Sequence, residues 1–154
     1  MDLRALTLCL LTVAGCASAP IKGHEVADTE ANRKVMSLVE AYRTAMQARD
    51  ADKLAALVAE DYYEDNGDVD TANDYGRKEL LAKLKARFAK TDELVLKIVV
   101  DDVAAGDEEI KVHYRYAVRY RLTLPAGNRW EEHRAENEMV LVRSGGRLLI
   151  RAGL

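Results

Sequence analysis

The chain has 154 residues, with 23 lysines and arginines against 26 aspartates and glutamates and a formal net charge of −3. That length, with 49% hydrophobic residues, suits one domain able to bury a proper core. The acidic balance and the lack of any long basic run exclude a nucleic-acid partner.

Residues 3–15 are apolar, with no charge after Arg4. The stretch is too short to cross a bilayer as a helix but fits the h-region of a secretory signal peptide. The segment Val13-Ala14-Gly15-Cys16 resembles the lipobox of bacterial lipoproteins. That resemblance implies removal of residues 1–15 and acylation of Cys16, with fatty acids such as palmitate. The protein is then held by Cys16 on a membrane of the bacterial cell envelope. Each buried acyl CH₂ contributes about 0.8 kcal/mol, so several chains on one residue hold firmly. In that family Ala17 after the cysteine implies the outer membrane, facing the periplasm. The rival reading is ordinary cleavage after Ala17-Ser18-Ala19. It leaves Pro20 beside the cut, where its ring fits an extended protease groove poorly. Cys9 lies within the expected signal, so Cys16 becomes the sole mature cysteine. No intrachain disulfide, thiol catalysis or cysteine-based metal site is then available. Residues 16–28 read as a tether and 29–154 as the folded domain.

Val35, Leu38, Val39, Tyr42, Ala45 and Met46 recur at helical spacing and predict an amphipathic helix from about Asp28 to Arg49. Asp50 or Asp52 caps a shorter second helix carrying Leu54, Leu57 and Val58. Turn residues interrupt the pattern near 65–68, and after Gly76 a third helix carries Leu80, Leu81, Leu84 and Phe88. From Leu94 the period becomes two. Strands are predicted at Leu94–Val103, Glu109–Leu124, Arg129–Arg143 and Arg147 to about Ala152, separated by Gly-containing turns. In the second of them, Ile110, Val112, Tyr114, Tyr116, Val118 and Tyr120 face one way. Lys111, His113, Arg115, Arg119 and Arg121 face the other. Helices followed by antiparallel strands make an α+β chain.

A long first helix, a short second one ending in Asp61-Tyr62-Tyr63, a Gly76-led third helix and a hairpin-linked sheet resemble the NTF2-like superfamily. This is the cone fold of nuclear transport factor 2, ketosteroid isomerase and SnoaL-type polyketide cyclases. The closing Gly146-Arg147-Leu148-Leu149-Ile150 is similar to the Gly-x-Trp-x-Ile ending of that superfamily, with Leu148 in place of Trp. The resemblance covers about 29–154. It implies three helices packed on a curved antiparallel sheet, with a pocket between them. Candidate pocket residues are Tyr42, Asp61, Tyr62, Tyr114, Arg134, Glu136 and Glu138.

By resemblance to ketosteroid isomerase, Tyr42 takes the place of the helix-1 oxyanion donor and Glu138 that of the protonated acid. The base position falls on Asn66, which cannot abstract a proton, with Asp65 beside it. The competing reading makes Tyr42 a core tyrosine on an apolar stripe. Glu132, Arg134, Glu136 and Glu138 share one strand face. Turned inward they furnish a charged pocket; turned outward they are solvated. The phase stays open, because Val140 and Val142 continue this face while Met139 and Leu141 continue the other. Asp65, Asp68, Asp70, Asn73, Asp74 and Glu79 resemble a calcium loop, but Ala72 and Asn73 replace an expected ligand and glycine. The loop reads as solvated, and neither a metal nor a cofactor is expected.

The favoured function is a non-catalytic binding module for a small molecule or an envelope partner. The alternative is an isomerase- or cyclase-like enzyme using Tyr42, Asp65 and Glu138. The basic outer face of the second strand predicts a monomer or a weak homodimer.

Overall fold

In the computed structural model, which describes residues 18–66 and 69–154, the apolar stripe of 35–46 becomes helix α1, Glu30–Ala48. Cys16 and the signal segment lie outside the described residues. Thr29 caps α1, its Oγ1 accepting the Asn32 N–H at 3.1 Å. Arg49 ends the helix in the left-handed region, at φ 54°. Asp50 caps helix α2, Ala51–Leu57, by accepting the Lys53 N–H at 2.9 Å. Strands β1, Tyr63–Glu64, and β2, Tyr75–Gly76, form a small antiparallel ladder before helix α3, Arg77–Phe88. Two residues carry no readable period, so this ladder has no signal in the sequence.

The sheet follows as β3, Thr91–Ala105; β4, Glu109–Leu122; β5, Arg129–Ser144; and β6, Arg147–Ala152. All pair antiparallel in chain order. Register shifts at 91/93 and 100/102 in β3, and at 140/141 in β5, interrupt the ladders. Such bulges bend long strands and increase their twist, which curves the sheet around the helices. The architecture is the α+β cone: three helices against one curved antiparallel sheet.

The core joins Val35 of α1 and Leu54 of α2 to Val100, Val112, Met139, Leu141 and Ile150 of the sheet, each 1% exposed or less. Each such side chain contributes roughly 1.5–3 kcal/mol by leaving water.

Because β3 is an edge strand, its outward backbone groups need partners from elsewhere. Two segments supply them, the end of α1 and residues 24–25. Arg49 donates to the carbonyls of Thr91 and Asp92, and Gln47 Oε1 accepts the Leu96 N–H at 3.0 Å. At Val100, His24 Nδ1 accepts the N–H at 3.0 Å, while the Glu25 N–H donates to the carbonyl at 2.8 Å. This last contact corrects the tether expectation. From Pro20 to Ala27 the chain closes on itself through a bridge between those two residues, and Val26 enters the core. The edge of β3 recruits this segment.

Candidate ligand cavity

A cavity of about 410 Å³ lies between the concave face of the sheet and the helices. Strand β3 contributes Leu94, Leu96 and Ile98; β4 contributes Tyr114, Tyr116, Val118 and Tyr120. Helix α1 adds Tyr42 and Met46, α3 adds Arg87, β5 adds His133 and Asn137, and Leu154 closes one end. Period two explains β4: its apolar face, legible in the sequence, is the cavity wall.

The cross-strand register decides β5. Val112 stands opposite Met139, Tyr114 opposite Asn137, and Val118 opposite His133, so the odd-numbered residues face the cone. Met139 and Leu141 are buried at 1% and 0%, which fixes the phase that stayed open in the sequence. Arg134, Glu136 and Glu138 therefore stand on the convex face, and the expectation that they line the pocket is corrected. Glu138 pairs there with Lys111 at 3.0 Å and with His113 at 3.1 Å. Arg134 pairs with Glu132 at 2.6 Å. Glu136 and Arg134 border a shallow depression on that outer face with Lys97, Arg115 and Arg119.

The remaining expected residues divide. Tyr42 and Tyr114 line the cavity. Tyr62 does not; it is buried beneath one end, its hydroxyl donating to Glu64 Oε2 at 2.9 Å. Asp61 is exposed and pairs with Arg151 at 3.2 Å. Asp65 is exposed beyond β1, outside the cavity wall. Asn66 beside it, at φ 54°, donates through Nδ2 to Asn73 Oδ1 at 2.9 Å. Tyr42, Asp65 and Glu138 thus fail to meet: one lies in the cavity, one in a surface turn and one across the sheet.

The closed end is built around Glu64. Its Oε2 accepts from the Tyr62 hydroxyl and from the backbone N–H of Gly153, at 2.7 Å, and of Leu154, at 3.3 Å. Tyr75 donates to the Leu154 carbonyl at 3.0 Å, and Tyr114 and Asn137 both donate to that of Gly153 at 3.3 Å. Burial pushes the Tyr114 phenol up to about 12. Burial also raises Tyr42, and it raises Tyr62 together with the adjoining Glu64 carboxylate, so these hydroxyls stay protonated donors at neutral pH.

Arg87, His133, Asn137 and Leu154 are cavity residues that sequence reasoning missed. His133 and Asn137 were recoverable from the β5 phase, since Met139 and Leu141 are the bulkier alternating pair. Arg87 resembles every other cation of α3 until the tertiary structure brings it against the cavity.

The sequence profile of the SnoaL-like domain family matches residues 39–145. The chain belongs to the SnoaL-like domain family. Solved structures agree on its NTF2-like fold. A conserved protein from Planctomyces limnophilus is 12% identical with a TM-score of 0.69, over 80% of this chain and 92% of its own. An NTF2-like superfamily protein from Salmonella enterica serovar Typhimurium is 8% identical with a TM-score of 0.64, over 79% and 86%. A hexachlorocyclohexane dehydrochlorinase is 12% identical with a TM-score of 0.61, over 80% and 82%. No curated protein matches the chain in sequence. Identities this low carry the SnoaL-like domain's fold and not its chemistry.

Proposed function

We propose that this SnoaL-like domain is an exported, membrane-tethered module whose cone binds a small molecule without transforming it. The observation that carries the binding role is the cavity itself. About 410 Å³, walled by aliphatic and tyrosine side chains with a few convergent polar groups, matches the usual small-molecule site of roughly 300–1,000 Å³. Against turnover stands the composition of that wall: among the described residues it includes no aspartate or glutamate, and its one imidazole, His133, makes no hydrogen bond to a carboxylate that would orient it as a base. The proton abstractions performed on this type of fold need a positioned base of suitable pKa. The candidate acids named from the sequence lie elsewhere. A structural relative that performs dehydrochlorination shares the fold, which by itself supports neither reading.

Native mass spectrometry of the purified chain, compared with Val118→Trp, tests the binding role. Val118 lines the cavity, so an indole there fills it. A co-purifying small molecule present in the parent and absent from the variant is the expected result. An identical ligand load on both proteins would remove the cavity from consideration.

Export and anchoring rest on the apolar run of 3–15 and on Val13-Ala14-Gly15-Cys16. Replacing Cys16 by Ala should abolish acylation and move the protein out of the detergent phase on partitioning, or leave an unprocessed precursor. Unchanged acyl labelling and membrane association of the variant would overturn the anchor.

A further inference from the structure

The polar groups around the cavity fall into two sets. Tyr114 and Asn137 are engaged at the closed end, both on the Gly153 carbonyl. The Tyr120 hydroxyl is engaged by Glu131 at 2.8 Å. The second set comprises the hydroxyls of Tyr42 and Tyr116, the imidazole of His133 and the guanidinium of Arg87. Among the described residues none of these makes a side-chain hydrogen bond or ion pair.

The free set is biased in its chemistry. Arg87 can only donate, and its guanidinium is a cation. A phenolic hydroxyl in an apolar wall is a ready donor. The nearest carboxylate on the inner face of β5 is Glu131, held by Tyr120 and Arg129. The cavity therefore offers donors with no acceptor from the protein and one cation without an ion-pair partner, Arg87 and His133 standing at its solvent-exposed side and the aliphatic and tyrosine wall behind them.

That inventory discriminates between ligand classes. An amine would meet Arg87 with like charge, while the carboxylates near the cavity, Glu64 and Glu131, are already held by other donors. A neutral hydrocarbon would fill the space but leave the donors without acceptors when water is expelled. A polyanion such as a nucleotide would need more than one cation, and Arg87 is the only lysine or arginine in the wall among the described residues. A flat monoanion satisfies all the constraints. The aromatic groups suit a ring as well: Tyr114 and Tyr116 lie 6.0 Å apart at 40°, and Tyr116 and His133 lie 5.8 Å apart at 55°. Tilted arrangements like these present both ring faces and ring edges to a planar guest.

We infer that the ligand is a compact aromatic monoanion. Its ring sits among Tyr42, Tyr116 and His133, and its carboxylate, or an equivalent oxyanion, accepts from Arg87. This deepens the binding role proposed above and rests on it. Helix α3 places Arg87 in its last turn, so the cation bordering the cavity comes from a different layer than the aromatic wall of β4. The anion is thereby oriented toward the helices and the ring toward the sheet.

A matched pair of probes tests the charge requirement on the full chain: 2-naphthoate and its neutral amide, titrated by calorimetry. Hydrogen bonds to a charged partner are worth enough that the acid should bind roughly tenfold or more tightly than the amide. Arg87→Met keeps the apolar stem and removes the charge, so it should erase that preference, lowering the acid's affinity roughly tenfold more than the amide's. Arg87→Lys should restore most of it. Arg87 is exposed, so these variants retain the fold, which circular dichroism checks. Equal affinity for acid and amide, or a preference that survives Arg87→Met, overturns the anionic ligand while leaving a cavity that binds. Binding of neither probe, together with no co-purifying ligand, overturns both readings.

Discussion

At Gly153 the chain has no room for a side chain. A Cβ built there would stand 1.9 Å from the Glu138 carbonyl oxygen, and the backbone sits at φ +88°. The residue also holds the closed end of the cavity, since its N–H reaches Glu64 and its carbonyl accepts from Tyr114 and Asn137. Gly153→Ala must displace backbone as well as adopt a disfavoured conformation, and should cost about 2–4 kcal/mol in denaturant unfolding. Gly145→Ala, at φ +56° with open space around it, should cost only about 1–2 kcal/mol. Equal losses would show that the approach of Glu138 is unimportant. Nothing local distinguishes these two glycines in the sequence, because the clash at 153 is with a residue on another strand.

Strand β5 shows how one phase choice separates structure from surface. Met139 is 1% exposed and faces the core, while its neighbour Glu138 pairs with Lys111 and His113 on the convex face. Met139→Ala should cost about 2–5 kcal/mol through lost burial and the cavity left behind. Glu138→Gln should cost at most about 1 kcal/mol, since its partners Lys111 and His113 are exposed and such solvated ion pairs contribute little, and should leave ligand affinity unaltered. Thermal unfolding and naphthoate titration of both variants check this. A collapse of binding in Glu138→Gln with the fold intact would revive the enzyme-like assignment of that acid.

The buried phenols tie the stability of the whole domain to alkaline pH. An unfolded tyrosine loses its proton near pH 10, whereas Tyr114 holds its own up to about 12, and Tyr42 and Tyr62 are raised in the same direction. The folded state therefore binds more protons in that window, and stability must fall as pH rises. The contribution is fully present below about pH 10 and declines through about pH 12. Melting temperature followed against phenolate absorbance should show the fall; a flat profile to pH 12 would contradict the burial of these hydroxyls. On the convex face, charges pair across strands: Arg115 with Asp101 at 2.5 Å, Arg121 with Asp92 at 2.9 Å, and Lys111 with Glu138. These paired charges surround the exposed Val95 and Trp130 of that face, so sedimentation should find a monomer or a weak dimer that dissociates in salt. A tight, salt-independent dimer would overturn that expectation.

Much of the molecule was legible without coordinates, and for local reasons. The helical stripe of α1, the Asp50 cap, the switch from period 3.6 to period 2 after α3, and the turn glycines all depend on residues a few positions apart. Element order then sufficed for the family-level fold. The cavity wall of β4 was legible too, because alternation within one strand sorts its faces. The tertiary structure decided the rest. The phase of β5 depends on which residue of β4 it pairs with. The docking of 20–27 depends on an edge strand more than seventy residues away, whose backbone groups at Val100 require partners. Arg87 is one cation among several along α3 until the sheet curls beneath it. Each of these rests on long-range pairing and on the burial it creates, which the order of residues along the chain does not display.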